Sequence, residues 1–319
     1  MEHREIGGFF ELELPSRDEY HKSVVALNSG RNCLAQLVLT KNIQRLHVPV
    51  YSCDGLIAKQ ISSSVEIKYY AINECFEPKF PTDIKLGDVF LYINYFGLYD
   101  HVIAKLYDKG IPLIIDNTHG FFSYPHQQLD TLYSPRKFFG VSDGGYLYAN
   151  ANYPNAVDTS HQHAMHLLKR IDGGASSAYE DYLRSETTIA EKPIARMSAL
   201  TKRILQSIDY ASCKTLRNEN FLALHKAIGS MNELSIETSS VNGPYAYPFL
   251  IRHKDLRRKL IDSKIFVPQL WKEVLQRSER GSYEHYTSEH LLPLPIDQRY
   301  NTSDMHHIAK VIQYYLQKG

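Results

Sequence analysis

The chain has 319 residues, 43% hydrophobic and 22% charged, which places it among ordinary water-soluble globular proteins. Its formal net charge is +1 with the basic residues dispersed, which argues against nucleic acid or a membrane surface as a partner held by bulk electrostatics. The charged start MEHREIGGFFELELPSRDEY has no apolar signal core, no apolar run is long enough to span a bilayer, and Cys33, Cys53, Cys75 and Cys213 form no CxxC pair. These features read as a cytoplasmic protein with free thiols, without disulfides and without a metal site.

The length calls for a large domain and a smaller one. In chain order, CLAQLVLTKN reads as a helix with one apolar side and IQRLHVPVYS as a short strand. GLIAKQISSS reads as a helix, VEIKYYAI as a strand, and DVFLYINYFG as a strongly apolar strand. DHVIAKLYDKG is a helix closed by glycine, and IPLIIDNTHG and GGYLYAN are further strands. Strands that are apolar throughout and alternate with helices predict a mainly parallel sheet covered on both faces. Such sheets bind ligands at the carboxyl ends of their strands. That directs attention to Tyr51, Ser52 and Cys53, to Asn94 and Tyr95, and to Asp116 and His119.

Over residues 150–190 the pattern is lost, and HQHAMHLLKRIDGGASSAYEDYLRSE reads as a helix followed by an exposed loop. RMSALTKRILQSIDYASCKTLRNENFLALHKAI reads as a long helical stretch broken near Cys213. The rest predicts an α+β module: strand YAYPFLIRH, helix KDLRRKLIDS, strand KIFVPQLW and a final helix DMHHIAKVIQYYLQ. The boundary is placed in the helical stretch, giving domains 1–205 and 206–319.

Four local features carry chemistry, and each also has a plain structural explanation. Asn28, Ser29 and Gly30 precede a helix, where free N–H groups and the positive dipole end suit a phosphate, although most such starts only cap the helix. Asp116 ends a buried strand, costly to desolvate without a cationic partner, with His119 three residues on; a strand-end Asp also caps turns. In Ser134-Pro135-Arg136-Lys137, Pro135 stiffens the approach and Phe138 and Phe139 desolvate the lysine, which favours a nucleophilic amine; otherwise it is a solvated basic turn. In SDGGYLY the glycines allow close approach, or form a hairpin turn. His161, His163 and His166 read as a solvated helix face, and Trp271 as packing.

In this order the features resemble the pyridoxal-phosphate enzymes of aspartate-aminotransferase fold, and more closely the DegT/StrS family of nucleotide-sugar aminotransferases. NSGRNCLAQLVL, VPVYSC, INYFG, IIDNTHG and KFFGVSDGGYLY match successive family segments over roughly residues 20–310, and ARMSALTKRIL, YPFLI and LPLPID resemble later landmarks. The order Asp116, Lys137, Gly144-Gly145 is the specific part.

The resemblance implies a large cofactor-binding domain with a smaller C-terminal α+β domain and pyridoxal 5'-phosphate as cofactor. Lys137 would form the Schiff base with the cofactor aldehyde and shuttle the proton, and Asp116 would keep the pyridine nitrogen protonated. His119 would contact the phenolic oxygen side. Ser29, Gly30 and Arg31 would hold the phosphate, with Ser134 adding a hydroxyl. Tyr51 or Cys53 would stack on the ring, Tyr51 being preferred for its π face. Asn94 and Tyr95 would contact substrate.

The implied reaction moves an amino group from an amino acid, glutamate, to a nucleotide-linked keto-sugar in polysaccharide, lipopolysaccharide or antibiotic-sugar assembly. The implied assembly is a homodimer with its site at the interface. A lyase or sugar dehydratase, or a silent sugar-nucleotide-binding homologue, remains open; family dehydratases tend to carry histidine in place of Lys137. The chain departs from the family pattern in two places. Ser134 lies three residues before the lysine rather than five, and Ile194 stands where many members have asparagine.

Overall fold

Residues 6–126 and 128–318 are described in a computed structural model of the chain. The elements run β1 (Val25–Leu27), α1 (Gly30–Thr40), β2 (Arg45–Pro49), β3 (Glu66–Ile72), β4 (Pro78–Lys79), β5 (Asp88–Ile93), α2 (Asp100–Asp108), β6 (Leu113–Asp116), β7 (Asp130–Tyr133) and β8 (Gly145–Tyr148). There follow α3 (Met165–Glu191), α4 (Ala199–Leu205), α5 (Tyr210–Ile228), β9 (Tyr247–Leu250), α6 (Leu256–Asp262), α7 (Val274–Arg277), α8 (Tyr283–His290), β10 (Leu291–Leu294) and α9 (Thr302–Gln317).

Eight strands form one sheet in the order β1-β8-β7-β6-β5-β2-β3-β4. The five inner strands β7, β6, β5, β2 and β3 are parallel, and β8, β1 and β4 pair antiparallel at the margins. The mainly parallel sheet expected from the apolar strands is therefore present. Both faces must be covered, because β5 and β6 bury side chains on both sides. The parallel register ends Pro49, Ile93, Asp116 and Tyr133 on one edge of the sheet, and the loops leaving that edge carry the candidate residues.

Three hydrophobic clusters hold the chain together. The first joins the sheet with α1 and α2 and takes in Leu270, Val274 and Leu291. The second packs α5, α6 and α9 on the two-stranded β9–β10 sheet. The third is aromatic, with Phe121, Phe122, Tyr133, Phe138 and Phe139 packed on Leu205 and Tyr210. Packing changes hands within α5: Tyr210 and Cys213 belong to the third cluster, and Phe221 onward to the second.

Several elements differ from the sequence reading. GLIAKQISSS is not a helix but a short 3₁₀ turn, Asp54–Leu56, followed by turns. The Ser62 and Ser64 hydroxyls donate to the Lys59 and Ile61 carbonyls, offering the backbone an alternative to helix. KIFVPQLW forms no strand: Lys264 is left-handed at φ 63, and Ile265 N–H donates back to the Leu260 carbonyl to close α6. The segment expected to be helix plus loop is instead the 27-residue helix α3, broken only at Gly174, whose φ is 77. The long helical stretch breaks at residues 206–209, ahead of Cys213, where Asp209 caps α5 by accepting from Ser212 N–H at 3.0 Å.

Candidate active site

The site is assembled around the N-terminus of α1. Ser29 is extended (φ −161) and its hydroxyl accepts from Asn32 N–H at 3.1 Å, so the first N–H groups of the helix have no partner within it. Asp143-Gly144-Gly145 explains why the helix starts here. Gly144 N–H donates to the Asn28 carbonyl at 2.8 Å, and Gly144 is left-handed at φ 123. A Cβ on Gly145 would lie 2.5 Å from the carbonyl of Ser29 and 2.7 Å from Gly30 N, so only glycine lets β8 approach so closely. Asp143 is fully buried and accepts from Ser198 N–H and Ser198 Oγ, both at 2.8 Å, and from the Thr201 hydroxyl, which ties β8 to α4. The motif is not a hairpin turn: β7 and β8 are antiparallel but joined by residues 134–144.

Ser134 and Thr118 complete this corner. A Cβ at Gly30 would lie 3.3 Å from Ser134 Cβ and 3.7 Å from Thr118 Oγ1. Ser134 is buried and its hydroxyl does not cap the following turn. Small side chains, hydroxyls and helix N–H groups thus converge, a composition suited to an anion. The Arg31 Nε donates to the Gly55 carbonyl and its Nη1 to the Ala190 carbonyl at 3.1 Å, which leaves its Nη2 and its backbone N–H for a ligand.

Asp116 and His119 are buried near this corner, and the charge of Lys137 acts on both. Asp116 is buried, accepts from Thr118 N–H at 2.8 Å, and has no ion-pair partner among the described residues. Burial pushes its carboxyl above the usual range, and Thr118 and the positive charge of Lys137 pull against that. His119 is buried with its ring parallel to Tyr245 (4.3 Å between centroids, 6°) and to Trp271 (5.9 Å, 15°). Burial, assisted by the Lys137 charge, lowers its pKa to about 3, so the imidazole is neutral, and its Nδ1 is buried without a partner. Lys137 ends the 3₁₀ turn Pro135–Lys137, is exposed in the single chain, and forms no ion pair among the described residues. Its charge is felt at Asp116, His119, Cys53 and Tyr182.

The other expected residues separate into those that feel this charge and scaffold. Cys53 is half-buried; burial raises its thiol pKa, and the charges of Lys137 and Arg31 oppose this. Tyr51 is fully buried, with its ring against Trp271 (5.1 Å) and Tyr95 (5.7 Å) and its hydroxyl unpartnered. Of the two stacking candidates, Cys53 feels the Lys137 charge and Tyr51 backs Trp271. Asn94 and Tyr95 are corrections to the sequence reading, because both are fully buried and their polar groups are committed. Asn94 Nδ2 donates to Asp100 and Asn117, its Oδ1 accepts from Tyr99 N–H, and the Tyr95 hydroxyl donates to the Tyr51 carbonyl at 2.7 Å.

Sequence reasoning passed over Thr118, Tyr245, Trp271 and Arg217. Arg217 lies in α5 with 1% of its surface exposed, and it forms no ion pair among the described residues. Its Nη1 donates to the Pro244 carbonyl at 2.9 Å and the Tyr245 carbonyl at 3.2 Å, and its Nε donates to Gln298 Oε1 at 3.0 Å. Its guanidinium lies 4.4 Å over the Phe138 ring, and Gln298 Nε2 donates to the Phe138 carbonyl at 2.8 Å. One buried cation therefore fixes both the residue after Lys137 and the ring stacked on His119. Its only sequence signal is an arginine amid the apolar spacing of a helix.

Among the described residues no cluster of His, Cys, Asp or Glu could hold a metal ion, and no helix is long and apolar enough to cross a membrane.

The architecture and the edge-of-sheet site define a fold-type I pyridoxal-phosphate transferase fold, and solved structures share it. A DegT DnrJ EryC1 StrS aminotransferase from Brucella abortus superposes with a TM-score of 0.63 at 14% identity, covering 92% of this chain and 85% of that one. DesV from S. venezuelae superposes with a TM-score of 0.61 at 14% identity, covering 92% and 84%. NtdA from Bacillus subtilis, solved with bound PMP, gives 0.62 at 15% identity, covering 91% and 73%. No family model and no curated protein matches the sequence. At such identities the likeness shows the fold.

Proposed function

We propose that the chain is a pyridoxal-phosphate-dependent aminotransferase that moves an amino group from glutamate to a nucleotide-linked keto-sugar, acting as a cytoplasmic homodimer. The observation that carries this reading is a buried carboxylate without a cation, Asp116, in the field of an unpaired amine, Lys137, beside an open helix N-terminus.

The residues fit the cofactor on three counts. Asp116 lacks the positive partner that a protonated pyridine nitrogen provides. His119 Nδ1 is a buried polar atom without a partner. The corner made by Ser29, Gly30, Thr118 and Ser134 has the small groups and donors a phosphate needs. When bound, pyridoxal phosphate supplies an aldehyde that amines condense with and a ring that takes up the electron pair left by proton loss.

Each side chain then has one task. Lys137 Nζ is the amine that anchors the aldehyde, and as a free base it takes the proton from the amino-donor carbon and returns a proton during transfer to the acceptor. The Asp116 carboxylate would hold a proton on the ring nitrogen, and its burial would strengthen that attraction. His119, neutral at working pH, would hydrogen-bond the ring without adding charge. Tyr245 and Trp271 stack on His119 and hold its plane.

The test is a single turnover without acceptor. Purified protein mixed with pyridoxal phosphate should develop visible absorbance, L-glutamate should bleach it, and one equivalent of 2-oxoglutarate should form. Asp116→Asn should bleach much more slowly while remaining folded. A protein that takes up no cofactor, or whose absorbance every amino donor leaves intact, contradicts the reading. A panel of nucleotide-linked keto-sugars added to the aminated form identifies the acceptor.

A further inference from the structure

The segment before Arg17 leaves the body of the protein. The Pro15 carbonyl accepts from Arg203 Nη1 at 2.8 Å and Arg17 N–H donates to the Gln206 carbonyl, so the chain is anchored on α4. Beyond that anchor, residues 6–13 form no helix or strand, and Phe9 and Phe10 are 99% and 92% exposed, with Ile6 and Leu12 exposed beside them. The order Phe10-Glu11-Leu12-Glu13-Leu14 alternates apolar and acidic residues, giving an extended segment one apolar edge and one anionic edge. Four large apolar side chains in eight residues are an unusual load to leave in water, at about 1.5–3 kcal/mol for each one buried.

A receiving surface of matching character lies between α3 and the C-terminal module. A cleft of about 1070 Å³ is lined on one side by Arg170, Tyr179 and Tyr182 and on the other by Lys264, Phe266 and Ile308. Its volume exceeds the roughly 300–1,000 Å³ typical of small-ligand pockets. Apolar side chains dominate it, and α3 adds exposed Leu168, Ile171 (83% exposed), Tyr179 and Tyr182. Of its charged groups, Arg170 and Lys264 form no ion pair among the described residues, Arg299 pairs with Asp297, and Asp304 is engaged in the capping box of α9. Apolar walls with unpaired cations complement a segment with an apolar edge and carboxylates at Glu11 and Glu13.

We propose that residues 6–13 of one copy dock in the α3–Lys264 cleft of a second copy, an exchange of arms between two chains. The proposal goes beyond the homodimer put forward above, since it assigns the surfaces, and it stands on that assembly. Eight extended residues span up to about 26–29 Å, enough to cross onto a neighbouring subunit. The arm would meet the cleft on the wall that carries Tyr182.

The experiment uses the full chain without added cofactor. A photoreactive benzoylphenylalanine replaces Phe10, and this protein is mixed with ¹⁵N-labelled unmodified chain before irradiation and peptide mass mapping. Cross-links from unlabelled residue 10 to labelled peptides of 166–182 or 261–268 are expected. Glu11→Lys with Glu13→Lys should weaken self-association roughly tenfold, by sedimentation, and Arg170→Glu with Lys264→Glu in the same chain should restore it. Cross-links within one copy, or to another surface of a stable dimer, overturn the arm exchange and leave the dimer standing. A chain that stays monomeric at all concentrations overturns both.

Discussion

Protonation of His119 offers a quantitative test of the site's interior. Its folded-state pKa is about 3 against 6.5 for a free imidazole, and that of His21, also buried, is about 4. Because both folded values lie below the unfolded one, the unfolded chain takes up protons first as pH falls. Stability from each is therefore complete above pH 6.5 and is lost on acidification toward the folded value. Between pH 7.5 and 5.5 the unfolded form gains about one log unit per histidine and the folded form almost none, which amounts to about 1.4 kcal/mol each. Replacing His119 with Gln keeps a hydrogen-bonding side chain and removes its contribution alone. Urea unfolding of cofactor-free protein at the two pH values should show the wild-type loss exceeding that of His119→Gln by about 1.4 kcal/mol. Equal losses in the two proteins would mean that His119 is solvated or already charged, and the neutral-imidazole reasoning would fail.

Arg217→Met should lower stability by about 2–4 kcal/mol in urea, since the Pro244 and Tyr245 carbonyls and Gln298 Oε1 lose a buried donor. It should also shift the emission of Trp271, the only tryptophan, through the loosened Tyr245–His119 stack; an unchanged midpoint and spectrum would remove Arg217 from its positioning role. Gly145→Val drives side-chain atoms against the backbone of Ser29 and Gly30, at a cost of about 1–3 kcal/mol. The displaced helix start should raise the Kd for pyridoxal phosphate roughly tenfold or more, and an unaltered Kd would show that α1 does not grip the phosphate.

Much of the fold was legible before the structure was known, for reasons that differ from element to element. β5 and β6 are almost wholly apolar, so the parallel sheet and its ligand-bearing edge followed from the strands themselves. Asp116, His119 and Lys137 lie within 22 positions of one another on that edge, and local order sufficed to group them. β7 escaped notice because Asp130–Tyr133 is only four residues long and carries no pattern. Tyr51 was preferred over Cys53 for its π face, and the tight turn at Ser52, whose hydroxyl donates to the Pro49 carbonyl, buries Tyr51 and leaves Cys53 half-buried. Arg217 had no local signal; its burial depends on carbonyls 27 and 28 residues away and on Gln298, 81 residues away. Tyr245 and Trp271 reach His119 only through long-range folding that no local pattern encodes.

The most direct measurement is chemical capture of the amine. Protein incubated with pyridoxal phosphate, reduced with borohydride, digested and mapped by mass spectrometry should carry the reduced cofactor on the peptide containing Lys137, and Lys137→Ala should carry none. Label on other lysines in proportion to their exposure, or equal labelling of the Lys137→Ala protein, would contradict the account.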